Sequence, residues 1–252
     1  MRVQILGLLE IAEAGRSCQV ASAKVRAVLA LLALSPGVPV PAAVLVEELW
    51  GETRIGNARN ALQANITRLR KQIESITDRR ADEIVRTVSG GYLLDLPKDQ
   101  VDAHVFVDLA RRGSAEITRD PARSVELLER ALLLWRGPAF LDVPDGQRCL
   151  LEAAHLDERR LTAREDLITA KLANGEGSGL VSELNRLAAE YPERERFSEQ
   201  LMLALYRNGR QTEALDVFHD TRRRLVAEMG LEPGRGMRRI YEAILVQDAV
   251  LG

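Results

Sequence analysis

Residues 58–73, ARNALQANITRLRKQI, decide how the rest of the chain is read, because the two faces of this stretch differ in chemistry. At helical spacing Leu62, Ile66, Leu69 and Ile73 fall at i, i+4, i+7 and i+11, a narrow apolar stripe that must face a core. The opposite face carries Arg59, Asn60, Gln63, Asn65, Thr67, Arg68, Arg70 and Lys71, and no acidic residue occurs before Glu74. A helix of this length spans about 24 Å at 1.5 Å per residue. Asn, Gln and Arg read base edges through paired hydrogen bonds, and Arg and Lys neutralise phosphates. Taken alone, the pattern fits a solvated amphipathic helix equally well.

The flanks narrow the choice. Upstream, Pro41 sits at a first-turn position, Val44, Leu45, Leu49 and Trp50 form an apolar face, and Gly51 ends the helix. Before it, 24–34 reads as a largely buried helix with Ser22 as N-cap and Ser35-Pro36-Gly37 as its stop. Residues 3–11 read as one or two strands, with a turn at Gly15 to Ser17 and a short strand near 19–20. Downstream, 83–88 and 92–96 are strand-like runs joined by Ser89-Gly90-Gly91, a hairpin. Three helices, the last basic, followed by a hairpin make the winged helix-turn-helix layout, in which the helix enters the major groove and the hairpin touches flanking backbone.

Composition sets the frame for that reading. The chain has 252 residues, 46% hydrophobic and 29% charged, an ordinary globular balance. Its net charge is −2, so any binding of nucleic acid depends on local positive charge. Between 54 and 80 the chain places Arg54, Arg59, Arg68, Arg70, Lys71, Arg79 and Arg80 against Glu74 and Asp78 alone. Cys18 and Cys149 form neither a metal-ligand spacing nor a redox pair, which suits a reducing interior. No secretory h-region is evident, and the apolar run 28–34 falls far short of the roughly 20 residues of a membrane span. The expectation is a cytoplasmic protein with no membrane partner. A polar segment at 97–100 reads as a linker between two domains, 1–96 and 101–252.

The second domain is helical throughout, at 105–117, 121–135, 148–172, 179–191, 195–206, 212–229 and 237–246. Asn174-Gly175 recurs as Asn208-Gly209 after 34 residues, and at the same shift Ala170 meets Ala204 and Leu184 meets Phe218. Thirty-four is the tetratricopeptide period. Three stacked helix pairs are expected, with 137–147 as an insertion; an irregular helical bundle is the alternative. The fold class is therefore mainly α with a small β component: a winged helix followed by tetratricopeptide-like repeats.

No catalytic constellation is visible. His104, His155 and His219 stand far apart, no phosphate-binding loop motif occurs, and no metal or cofactor is expected. Two functions of different kinds fit: a DNA-binding regulator, or a helical-repeat scaffold or ligand-sensing module without specific DNA binding.

Several segments together resemble the Streptomyces antibiotic regulatory protein family. They are Lys24-Val-Arg26 to Leu34, Leu49-Trp50-Gly51, Ala58-Arg59-Asn60-Ala61-Leu62-Gln63 with Arg68-Leu69-Arg70, and Ser89-Gly-Gly-Tyr92 in the first half. In the second they are Leu134-Trp135-Arg136-Gly137-Pro138, the run from Leu201 to Leu215, and Gly230-Leu-Glu-Pro233-Gly234. The resemblance implies an OmpR-type winged helix and a bacterial transcriptional activation domain. It further implies binding to direct repeats at promoters as a side-by-side dimer, recruitment of RNA polymerase through its sigma and alpha subunits, and activation of a secondary-metabolite gene cluster, often for an antibiotic. Carried over by position, Asn60, Ala61, Ala64, Asn65 and Arg68 face the groove; Arg59, Arg70, Lys71 and, in the hairpin, Arg86, Ser89 and Gly91 contact phosphates. The loop containing Glu52, Thr53, Arg54 and Ile55 lies where OmpR-type proteins touch polymerase. No receiver domain precedes the winged helix and no ATPase module follows, so a small member or a piece of a larger one is expected.

Overall fold

The computed structural model describes residues 1–51, 56–143 and 146–248. They divide into two compact units, Met1–Arg111 with Glu129–Thr162, and Arg112–Leu128 with Ala163–Gly252. The mainly helical class with small antiparallel sheets is the one read from sequence. Among the described residues no helix is long and apolar enough to cross a membrane.

The first unit opens with an antiparallel sheet of β1 (Arg2–Gln4), β2 (Glu10–Glu13) and β3 (Arg16–Gln19), in that order. Val3 pairs with Ile11, and both are fully buried. The turn between β2 and β3 falls at Ala14 and Gly15, both with positive φ, so Arg16 and Ser17 belong to the strand and not to the turn. Then come α1 (Ala23–Ala33), β4 (Val40–Pro41), α2 (Ala42–Trp50) and α3 (Ala58–Glu74). Ser22 precedes α1 but its side chain makes no cap bond; its carbonyl accepts from Arg26 N–H. Asn57 does cap α3, its side chain accepting from Asn60 N–H at 3.2 Å. The expected strand at 83–88 begins as a single helical turn, α4 (Ala81–Ile84), and continues as β5 (Val85–Val88). The partner β6 (Gly91–Leu94) is the central strand of a β4-β6-β5 sheet. Gly91 must be glycine here, because a Cβ would lie 2.2 Å from the Val40 carbonyl oxygen.

The segment read as a linker, 97–100, forms a short 3-10 turn whose residues 97–99 are exposed, and the residues on either side of it pack into this unit. Leu96 and Val101 are buried, and Val101 bridges Val3. Asp102, the first residue of α5 (Asp102–Glu116), accepts hydrogen bonds from the N–H groups of Ile5 and Leu6 at 2.8 and 3.1 Å. Burial raises its pKa; those amide bonds and Arg136 oppose the shift. After α6 (Pro121–Leu132) the segment 135–142, partly expected as an insertion in the helical half, bonds to the loop between β1 and β2. The N–H groups of Arg136 and Phe140 donate to the carbonyls of Leu6 and Ile5, both at 2.8 Å. Gly7, at φ 142, lets the chains approach: a Cβ there would stand 3.0 Å from Arg136 Cβ. Trp135 meets Phe106 edge to face with ring centroids 5.2 Å apart. The compact unit therefore extends past residue 96 to Arg111 and resumes at Glu129–Thr162.

In the second unit the repeat is visible as repeated bonding. Ala170 on α7 (Gln147–Ala173) and Ala204 on α9 (Glu195–Arg207) are fully buried. Asn174 N–H donates to the Ala170 carbonyl and Asn208 N–H to that of Ala204, and Gly175 and Gly209 follow with φ of 81° and 73°. The partner helices are α8 (Val181–Glu190) and α10 (Gln211–Met229), and α11 (Arg235–Leu245) closes on α9. Leu184, Leu187, Phe197, Met202, Ala214 and Met237 form the centre of the core these helices share. The earlier helix pair, α5 with α6, closes at Gly113, where a Cβ would lie 2.6 Å from Leu128 Cγ and whose carbonyl accepts from Ser124 Oγ at 2.8 Å.

Candidate nucleic-acid interface

Helix α3 forms because its apolar stripe closes the core against α1 and α2. Leu62, Ile66, Leu69 and Ile73 are each at most 1% exposed. That anchoring decides the other face. At about 100° per residue, Asn60, Ala64, Thr67 and Lys71 fall within an arc of roughly 60°, and all four are exposed. Gln63 and Arg68 flank the arc and are exposed, as is Arg59; Ala61 is half-buried. The result is a continuous exposed strip, about three turns long, mostly polar and free of acidic side chains until Glu74. Thr67 Oγ1 donates to the Gln63 carbonyl at 3.0 Å, which leaves its lone pairs outward.

Asn65 lies apart from this strip. It is 5% exposed and its Nδ2 donates to the Ala61 carbonyl at 2.9 Å, while its Oδ1 has no partner among the described residues. The groove-facing position expected for it is not on the exposed face; three residues after Leu62 and four before Leu69, it lies on the edge of the buried stripe.

The hairpin tip, Ser89 and Gly90, is exposed, as is Arg86, which pairs with Asp95 at 2.9 Å. Gly91 is buried, and its part is to let β4 and β6 meet rather than to present a contact. Arg70 is half-buried and its guanidinium is engaged by β5: Nε and Nη2 donate to the Val85 carbonyl at 2.9 and 2.5 Å, and Nη2 to Thr87 Oγ1 at 2.9 Å. On the other flank Gln72 Nε2 donates to the Gln19 carbonyl at 2.7 Å. Sequence reasoning misses Thr87, Gln72 and Gln19, because nothing in local periodicity marks a tie between distant strands. Glu52, Thr53, Arg54 and Ile55 lie outside the described residues. No group of three or more His, Cys, Asp or Glu side chains among the described residues is placed to hold a metal.

Comparison with known proteins accounts for both halves. Residues 101–245 match the family described as bacterial transcriptional activator domain, and residues 19–94 the family described as transcriptional regulatory protein, C terminal. The transcriptional regulator RedD of Streptomyces coelicolor is 45% identical over 252 residues, which are 100% of this chain and 72% of RedD. The regulatory protein DnrI of Streptomyces peucetius is 36% identical over 253 residues, covering 98% of this chain and 93% of DnrI. A solved structure of Mycobacterium tuberculosis EmbR, in complex with a low affinity phosphopeptide, matches with a TM-score of 0.92 at 29% identity, covering 98% of this chain and 65% of that one. An OmpR-type winged helix joined in order to a bacterial transcriptional activator domain places the chain in the Streptomyces antibiotic regulatory protein family of transcriptional activators.

Proposed function

We propose that this regulator inserts α3 into the major groove of promoter direct repeats and lays the 85–94 hairpin on the neighbouring backbone. The observation that carries this reading is the exposed strip of Asn60, Gln63, Ala64, Thr67, Arg68 and Lys71, which offers amides and cations with no acid among them. Residues 1–96 supply the DNA contacts and 101–252 the activating half, a division that follows the two matched families although the compact units divide elsewhere. Direct repeats relate neighbouring copies head to tail, so a side-by-side dimer uses two different surfaces. Bound upstream of a promoter in the cytoplasm, the protein recruits RNA polymerase through sigma and alpha and switches on a secondary-metabolite cluster.

The contact to polymerase is assigned to Glu52, Thr53, Arg54 and Ile55. In sequence they join α2 to the groove helix, the position at which the family resemblance puts a polymerase contact, and Ile55 beside Arg54 suits a small contact patch. Replacing Glu52, Arg54 and Ile55 together by Ala is expected to leave the gel shift on promoter DNA intact and to abolish activated transcription with purified polymerase. Undiminished activation with normal binding would move the contact to the helical half. A wild-type protein giving no shifted band above competitor DNA would favour a scaffold instead.

A further inference from the structure

We propose that Arg70 is a positioning residue, tying the hairpin to the groove helix, and not a ligand of DNA phosphate; this rests on the DNA-binding reading above. Arg70 lies on the flank of α3 nearest β5, away from the strip centred on Asn60, Ala64, Thr67 and Lys71. Three of its guanidinium hydrogen bonds already go to β5, two to the Val85 carbonyl and one to Thr87 Oγ1. A planar fork with fixed donors sets both the distance and the direction of what it binds, which a flexible ammonium with a single point of charge does not. β5 is an edge strand, and its register with β6, Val85 opposite Leu94 and Thr87 opposite Tyr92, carries the tie outward to Ser89 and Gly90. The tip of the hairpin is thereby held at a set offset from the helix. With Gln72 bonded to the Gln19 carbonyl on the other side, α3 is braced against both sheets and only its outer strip is left for DNA.

A phosphate ligand and a brace differ in what lysine can replace. The test uses the full chain and a mixed-sequence DNA duplex, with affinity read by fluorescence anisotropy, and exchange of backbone amides read without DNA. If Arg70 braces the hairpin, Arg70→Lys binds as weakly as Arg70→Ala, about tenfold below wild type. In an Arg86→Ala background, where hairpin contact is already weakened, the Arg70 substitution then costs no more than about a further twofold. Amides of 85–94 exchange faster in Arg70→Lys while those of 62–69 keep their protection. Near-normal binding by Arg70→Lys, losses that multiply with Arg86→Ala, and unchanged exchange in the hairpin would overturn the assignment and make Arg70 a phosphate contact. If the wild type does not bind the duplex at all, the DNA reading fails by itself, and the exchange result alone decides whether Arg70 braces the hairpin.

Discussion

A fragment ending at Leu96 is expected to lose the cooperative melt of the whole chain. Cutting there removes Asp102, which satisfies the buried amides of Ile5 and Leu6, and bonds from amides to a charged group are worth about 1.5–3 kcal/mol each. It also removes Phe106 and Trp135 from the core of the first unit, at about 1.5–3 kcal/mol for each large side chain. The strap that closes the carbonyls of Ile5, Leu6 and Gly7 goes with them. These losses together rival the roughly 5–15 kcal/mol that holds a domain folded. Thermal unfolding followed by circular dichroism should show a broad, sloping change for 1–96 and a sharp transition for the full chain. A sharp transition for the fragment, within a few degrees of the full chain, would mean that the first 96 residues carry their own core.

The second large effect separates two adjacent residues. Leu69 is fully buried on α3, and truncation of such a leucine costs about 2–5 kcal/mol, so Leu69→Ala should melt far below wild type. Arg68 is exposed beside it, so Arg68→Ala should melt normally. If its guanidinium reads a base edge, Arg68→Ala should lose about 1–3 kcal/mol of discrimination against the wrong base. Melting curves and competition binding on the same two preparations decide the matter. An Arg68→Ala protein that unfolds early, or a Leu69→Ala protein that is stable but indifferent to DNA sequence, would reverse the two faces of the helix.

Much of the fold is legible in the sequence because it is periodic. Leu62, Ile66, Leu69 and Ile73 keep one face of a helix through about three turns, and the 34-residue spacing of Asn174-Gly175 and Asn208-Gly209 repeats a helix ending that the structure realises with the same bonds. What periodicity misses is whatever depends on a distant partner. Asn65 is polar, so composition sends it to the surface, yet its spacing from Leu62 and Leu69 sets it on the buried side. Arg70 reads as one more surface cation until β5 is placed beside it. Asp102 looks like the start of a second domain, and only the fold shows that its carboxylate completes the strand loop of the first, nearly a hundred residues upstream. Glu83 and Ile84 read as the start of a strand, yet the chain makes 81–84 a helical turn, with the Arg80 carbonyl accepting from Glu83 N–H.

Whether the outer strip of α3 reads DNA sequence is tested by selection from a random duplex library, which does not require the operator to be identified first. Wild-type protein should enrich one short sequence repeated in the same orientation at a fixed spacing, since direct repeats place each groove helix on an equivalent site. Arg68→Ala should enrich the same repeat with one position per half-site relaxed, because the lost guanidinium no longer discriminates there. A wild-type pool that stays random after repeated rounds, or an Arg68→Ala pool with the wild-type motif unaltered at every position, would contradict that assignment of α3.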